Sequence, residues 1–307
     1  MVAIGLGNSL ATRRRRPPPT AGRTLPSYSL ESLTMIDHFA LGWVTPILSF
    51  LLSCAGCAVG LTCTARARVS HGLASTGWLA LGAVSIGGTG IWVMHFVAML
   101  GFHIRGTETR FDVPLTVASG LLAIAVVGLG LFIIRTAGVG PFALVAGGTV
   151  TGLGIAAMHY LGMRALHVGV EVTYHLPTVV MSVLIGIVAA IAGLWLSAKV
   201  HNFVAGTGAT LIMGIAVSGM HYTGMAAMRA EVVSGTVIVP DGGVSVAALL
   251  GPLIIGVTIS TILLLLVVGL APSAAELEAQ EKFKGWHERQ EEIKREATEP
   301  RRRSQLL

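Results

Sequence analysis

Charge is scarce in this chain. Only 12% of its 307 residues are Asp, Glu, Lys or Arg, against roughly 25% in a soluble domain. No Asp or Glu falls inside the long apolar runs, and no Ser-His-Asp grouping or carboxylate pair occurs within them, so hydrolytic catalysis is not expected and the chain reads as a non-enzyme. Cysteine is confined to Cys54, Cys57 and Cys63 in the first apolar run. A C-x-x-C at mid-membrane depth lacks the βαβ setting of a redox motif, so these residues read as small packing groups.

What fills the chain instead is hydrocarbon, at 53% of residues with a mean hydropathy of +0.76. A hydrocarbon layer about 30 Å thick needs about 20 apolar residues in a helix. Segments of that length fall near Trp43 to Cys63, Gly77 to Leu100, Val113 to Ile134, Pro141 to Met163, Pro177 to Ala198, Val204 to Met228 and Val244 to Leu270. Pro114, Pro141 and Pro177 suit first helical turns, where a missing N–H costs nothing. The expected fold class is an all-α membrane protein of seven transmembrane helices.

The net charge of +6 does not point to nucleic acid, because 13 of the 21 basic residues lie in the two tails. The loops after helices one, three and five hold Arg66, Arg68, Arg135 and Lys199 without an acid. With the basic C-terminal tail they tip the positive-inside rule toward an outer N-terminus and a cytoplasmic C-terminus. Residues 1–34 carry Arg13 to Arg16 followed by Pro17 to Pro19, neither a clean signal peptide nor a foldable segment. Translation from Met35 would remove the conflict of an outer four-Arg run with the charge rule. Residues 35–270 are then the membrane domain, and 271–307 a mixed-charge cytoplasmic tail able to form a short helix.

Laying the even-numbered helices over one another reveals a repeat. Gly88 to Met99, Gly152 to Met163 and Gly214 to Met225 each have Gly seven before a His, Met one before it and Met four after it. His95 and His159 are 64 residues apart (159 − 95), and His159 and His221 are 62 apart (221 − 159). The spacing is one helix pair per repeat, so the core is three two-helix repeats plus one additional helix. Positions four and seven apart share a helix face, so Gly, His and the second Met form one stripe. Gly there lets a neighbouring helix approach closely. The even helices run the same way, which puts all three clusters at one depth, at the outer face on this topology.

Imidazole with thioether is a soft, neutral ligand set that suits Cu(I), whereas hard cations want carboxylate oxygen. Zinc would accept the histidines but gains little from methionine. The metal-ligand candidates are Met94, His95 and Met99; Met158, His159 and Met163; and Met220, His221 and Met225. The bland alternative is that each His bonds a carbonyl and each Met fills a gap. A pattern repeated three times in a setting where ionisable residues are costly argues for a site. The Tyr160 and Tyr222 hydroxyls are candidates to hold a bound ligand, with Phe96 at that place in the first repeat. His38, His103 and His167 are weaker candidates, and Asp112 and His175 read as helix caps.

The triple Met-His-aromatic motif, with Met220-His221-Tyr222-Thr223 as its full form, resembles the MHYT domain, a bacterial integral membrane sensor module. The opening Asp37-His38-Phe39-Ala40-Leu41-Gly42-Trp43 is similar to the start of that family, and the resemblance covers about Met35 to Leu270. It implies a bacterial inner-membrane location, a copper site at the outer face built on Met94, His95, Met158, His159, Met220 and His221, with Tyr160 and Tyr222 beside it. It also implies sensing of a diatomic gas, O2, CO or NO, and an output to a cytoplasmic signalling partner. Family members often carry cyclase, phosphodiesterase or kinase domains, and nothing of that kind is expected in these residues. Two other functions stay open: a redox protein with two of the histidines as axial haem ligands, and a copper or small-solute transporter lined by methionine.

Overall fold

The computed structural model describes residues 36–304 apart from 38, 105–107, 170, 201 and 232–241. Residues 1–35, with the Arg13 to Arg16 run and the Met35 start, lie outside the described residues, as does His38.

Seven helices are long and apolar enough to cross a membrane, as expected. They are α1 (Val44–Val69), α2 (Gly72–Met99), α3 (Val113–Ala137), α4 (Pro141–Arg164), α5 (Leu176–Lys199), α6 (Phe203–Ala226) and α7 (Val246–Leu270). An eighth, α8 (Ala274–Ser304), makes the tail helix far longer than its charge pattern promised. Local chemistry fixes several ends. The Asp112 carboxylate accepts from Leu115 N–H at 2.8 Å to cap α3, and Asn202 does the same for Ala205 N–H at the start of α6. His175 stands at the start of α5 without a side-chain cap. Gly138, at φ +79°, ends α3.

From α1 to α6 each helix packs on the next, and α6 closes on α1, so these six form a ring. The even helices α2, α4 and α6 also touch one another across its centre, and α7 lies outside, against α1 and α2. At one end the ring is tied by short antiparallel strands that no hydropathy pattern revealed. Strand β1 (Ile36–Asp37) pairs with β2 (His103–Ile104), β3 (Arg110–Phe111) with β4 (Leu166–His167), and β5 (Glu171–Tyr174) with β6 (Met228–Glu231). Each ladder joins the strand before an odd helix to the strand after the following even helix. The repeating unit is therefore strand, helix, helix, strand. A last strand, β7 (Val244–Ser245), precedes α7 and adds to the other edge of β3.

The repeats are not identical. Between Val84 and Val93, α2 winds as a π-helix, which takes one residue more than the α-helical path. The consequence shows in the glycines. A β-carbon on Gly152 would strike the backbone of Gly186 and Ile187, and one on Gly87, not Gly88, would strike the matching Ala123 and Ile124. Gly87 is eight residues before its histidine and Gly152 is seven before. The expected close approach thus holds at Gly152, moves by one residue in the first repeat, and in the third meets only the Cys54 and Phe50 side chains at Gly214.

Candidate functional site

The three motif histidines meet at the centre of the ring. His95 sits four residues before the end of α2, and His159 and His221 five before the ends of α4 and α6, about 6 to 8 Å below the strand-capped rim. Each is 1% exposed. Their Nδ1 atoms converge: His95 to His221 is 2.9 Å, and His159 to His95 is 3.1 Å. The ring centroids stand 4.9, 5.0 and 5.2 Å apart, each pair edge to face. Helix periodicity alone could give one depth, but only the ring closure of α6 on α1 gives one point.

The outward nitrogens explain a residue that the motif reading passed over. His95 Nε2 and His159 Nε2 are buried without a hydrogen-bond partner. A β-carbon on Gly162 would collide with His95 Nε2, and one on Gly224 with His159 Nε2. Each of these histidines therefore leans on the glycine three residues after the histidine of the next repeat. Ala98 holds that position in the first repeat, so the signal, a small residue at plus three in all three copies, was present in the sequence.

The methionines divide into two layers. Met94, Met158 and Met220, one residue before the histidines, are buried with Ile91, Ile155 and Val217, which lie one turn inward of them. Met99, Met163 and Met225 are buried on the rim side with Phe96 and Phe111. On the inner side lies a cavity of about 50 Å³, lined by Ile91, Ile155, Val217, Met213, Met220 and Thr151 among others. Apolar cavities of this kind stay dry.

The tyrosines turn elsewhere. The Tyr160 hydroxyl is 2.7 Å from the Ser182 hydroxyl of α5, and Ser182 donates to Val179 C=O. Tyr222 approaches Ser49 of α1 short of a hydrogen bond. In the first repeat, where Phe96 has no hydroxyl, Trp92 donates its indole N–H to Ser119 of α3 at 3.0 Å. Ser49, Ser119 and Ser182 are all fully buried, so Trp92 ties α2 to α3 and Tyr160 ties α4 to α5, while Tyr222 only packs toward α1. A sequence alignment misses this because Trp92 lies four positions from Phe96. His103 and His167 lie in the rim strands β2 and β4, and Cys57 and Cys63 are buried packing residues of α1.

A closed ring of hairpins that delivers one imidazole from each of three repeats to a single buried point defines a multi-pass membrane module built by internal triplication. The chain belongs to the MHYT family, the bacterial signalling protein N terminal repeat, whose family model matches residues 88–148, 152–208 and 214–279. It is a membrane sensor module of signalling proteins. It is 35% identical to the bifunctional diguanylate cyclase/cyclic di-GMP phosphodiesterase MucR of Pseudomonas aeruginosa over 69% of this chain and 31% of that protein. It is 34% identical to the signaling protein YkoW of Bacillus subtilis over 59% of this chain and 23% of that protein. With the cyclic di-GMP phosphodiesterase NbdA of Pseudomonas aeruginosa the identity is 36%, over 62% and 24%. The chain thus spans less than a third of the length of each of these relatives. No solved structure matches it.

Proposed function

We propose that this module holds one copper ion, as Cu(I), on His95, His159 and His221, and that it senses a diatomic gas admitted to the adjoining cavity. The observation that carries the reading is the convergence of the three histidines, a buried cluster that among the described residues includes no carboxylate. Two sides of the Nδ1 triangle are 2.9 and 3.1 Å; with a third side alike, each nitrogen lies about 1.7 Å from the centre, against about 2.0 Å in a metal–imidazole bond, so an opening of about 0.3 Å accommodates a metal. The donors are neutral and soft-compatible, and the flanking methionine layers, Met94, Met158 and Met220 inward and Met99, Met163 and Met225 outward, offer thioether sulfur. Bound there, copper would supply an electron-rich centre with affinity for O2, CO or NO. The chain's own part is to keep the trio dry, hold Nδ1 inward by pressing Nε2 on glycine, and couple the ring to α7 and α8.

Haem fits less well, because rings with Nδ1 atoms at 2.9 and 3.1 Å leave no room for a macrocycle between them. A transport path would need an unbroken polar or methionine-lined route to the far side, whereas this cavity, Thr151, Met213 and Met220 apart, is walled by apolar residues such as Leu131, Ala190 and Leu194.

Signalling requires that the gas bind two arrangements of the helices with different affinity. We further propose that the strand-capped rim faces outward and that α8 lies in the cytoplasm, supported by Arg66, Arg68, Arg135 and Lys199 in last turns at the opposite end. The downstream partner would then act in cyclic di-GMP turnover, the activity named in two of the relatives.

Elemental analysis of detergent-purified protein under reducing conditions tests the site. One copper per chain is expected, and His95→Ala, His159→Ala or His221→Ala should each abolish it. Folded variants that retain copper would return the histidines to a packing role.

A further inference from the structure

Helix α8 begins four residues after α7 ends, so its first turns lie beside the bilayer surface on the side of Arg66 and Arg68. One side of it meets the bundle: Leu277 is half-buried, and Glu281 contacts His71 of the α1–α2 turn at 3.2 Å. The opposite side carries a stripe with helical spacing, Ala279, Phe283, Trp286, Gln290 and Ile293. Phe283, Trp286 and Ile293 are 61, 50 and 58% exposed, and the two aromatic rings stack at 6.2 Å.

The charges around that stripe are sorted. At 100° per residue, Lys282 and Arg289 border one edge and His287 and Lys294 the other, while Glu281, Glu288, Glu291 and Glu292 fall on the far side with Lys284 and Arg295; the two acids at the edges, Glu276 and Glu278, belong to the first turns, beside Arg66 and Arg68 of α1. Past those first turns, a stripe of bulky apolar residues edged by basic ones, with the acids turned away, matches an anionic lipid surface. It does not match a parallel pair of such helices. There Arg289 of one copy would face Lys294 of the other across the seam, like charge against like.

We propose that α8 docks on the anionic headgroups of the leaflet from which it emerges, with Phe283, Trp286 and Ile293 in the acyl boundary and Lys282, Arg289 and Lys294 at the phosphates. The tail of the sensor is then a membrane-surface helix whose seat depends on lipid charge, independently of any metal.

The full chain, carrying an environment-sensitive fluorophore on Gln290→Cys, is placed singly in lipid nanodiscs of phosphatidylcholine alone or with phosphatidylglycerol. The label should shift to the blue and be quenched by brominated acyl chains in the anionic discs. Lys282→Glu and Arg289→Glu should weaken docking by roughly fivefold per basic residue removed, as should added salt. Phe283→Ser with Trp286→Ser should release the label without altering the bundle's unfolding temperature. A label that stays in water in anionic discs overturns the proposal, and so does docking that ignores lipid charge. Protection that appears only in discs holding two copies overturns it in favour of a coil between chains.

Discussion

Gly162→Ala places one methyl group against the candidate site without touching a ligand. The new β-carbon would collide with His95 Nε2, in a ring that is 1% exposed and has its Nδ1 fixed at 2.9 and 3.1 Å from two others. Overpacking of this kind costs about 1 to 3 kcal/mol. Because metal binding asks the ring to move outward by about 0.3 Å, toward the glycine, most of that cost should fall on the loaded state. Copper affinity should drop by roughly fivefold to a hundredfold, measured by competition with a Cu(I) chelator, while the apo protein's unfolding temperature falls less. Gly224→Ala should act alike through His159. Ala98→Gly, at the repeat position that already tolerates a methyl, should leave affinity within a few fold. If Gly162→Ala destabilises the protein yet binds copper as the parent does, His95 is not a ligand. If neither property changes, the packing of His95 on Gly162 is wrong.

Tyr160→Phe and Ser182→Ala should each cost about 0.5 to 1.5 kcal/mol of stability. The two together should cost little more than either alone, and a double-mutant cycle by thermal unfolding with full additivity would deny their hydrogen bond. Arg66, 5% exposed, donates to the carbonyls of Val268, Ala271 and Pro272 and lies 5.0 Å over Trp78. Arg66→Ala should therefore lose about 1.5 to 3 kcal/mol and open the α7–α8 junction to protease, and unchanged protection would show that the clasp holds nothing. A periplasmic reporter fused after Gly106 should be active and one fused after Thr136 inactive, and the opposite pattern would invert the proposed orientation.

The seven spans and the triple motif were legible because hydropathy over 20 residues and an identical His-Met spacing are strong signals. The meeting of His95, His159 and His221 followed from parallel even helices, but its sharpness depends on α6 closing on α1, a contact between segments with no sequence relation. The rim ladders were not legible: pairs such as Ile36 with Ile104 span only two residues a side and lie outside any periodic pattern. The π stretch of α2 hid behind Gly87 and Gly88, since two adjacent glycines let an ungapped alignment succeed while shifting the packing residue by one. Reading Tyr160 from its motif position alone did not show that its hydroxyl stands 2.7 Å from that of Ser182. The tail's length was underestimated because many of its residues are charged and exposed, so burial does not mark its ends.

Two contacts between repeats run head to tail, the histidine of one against the glycine of the next: His95 on Gly162 and His159 on Gly224. Interfaces of that kind generate an endless array unless each step turns through an angle that divides a full circle. Here three steps suffice, and α6 arrives at α1 as a fourth subunit would arrive at the first. Glu231, in the last strand of the third repeat, and Ile36, in the first strand of the first, are not joined to each other along the chain. Both residues lie on the strand-capped rim, so joining them and opening the chain between Ile104 and Arg110 would rotate the order of the repeats while returning the same three imidazoles to the axis. Such a permutant separates the ring, which needs only three repeats in cyclic order, from α7, whose strand needs β3.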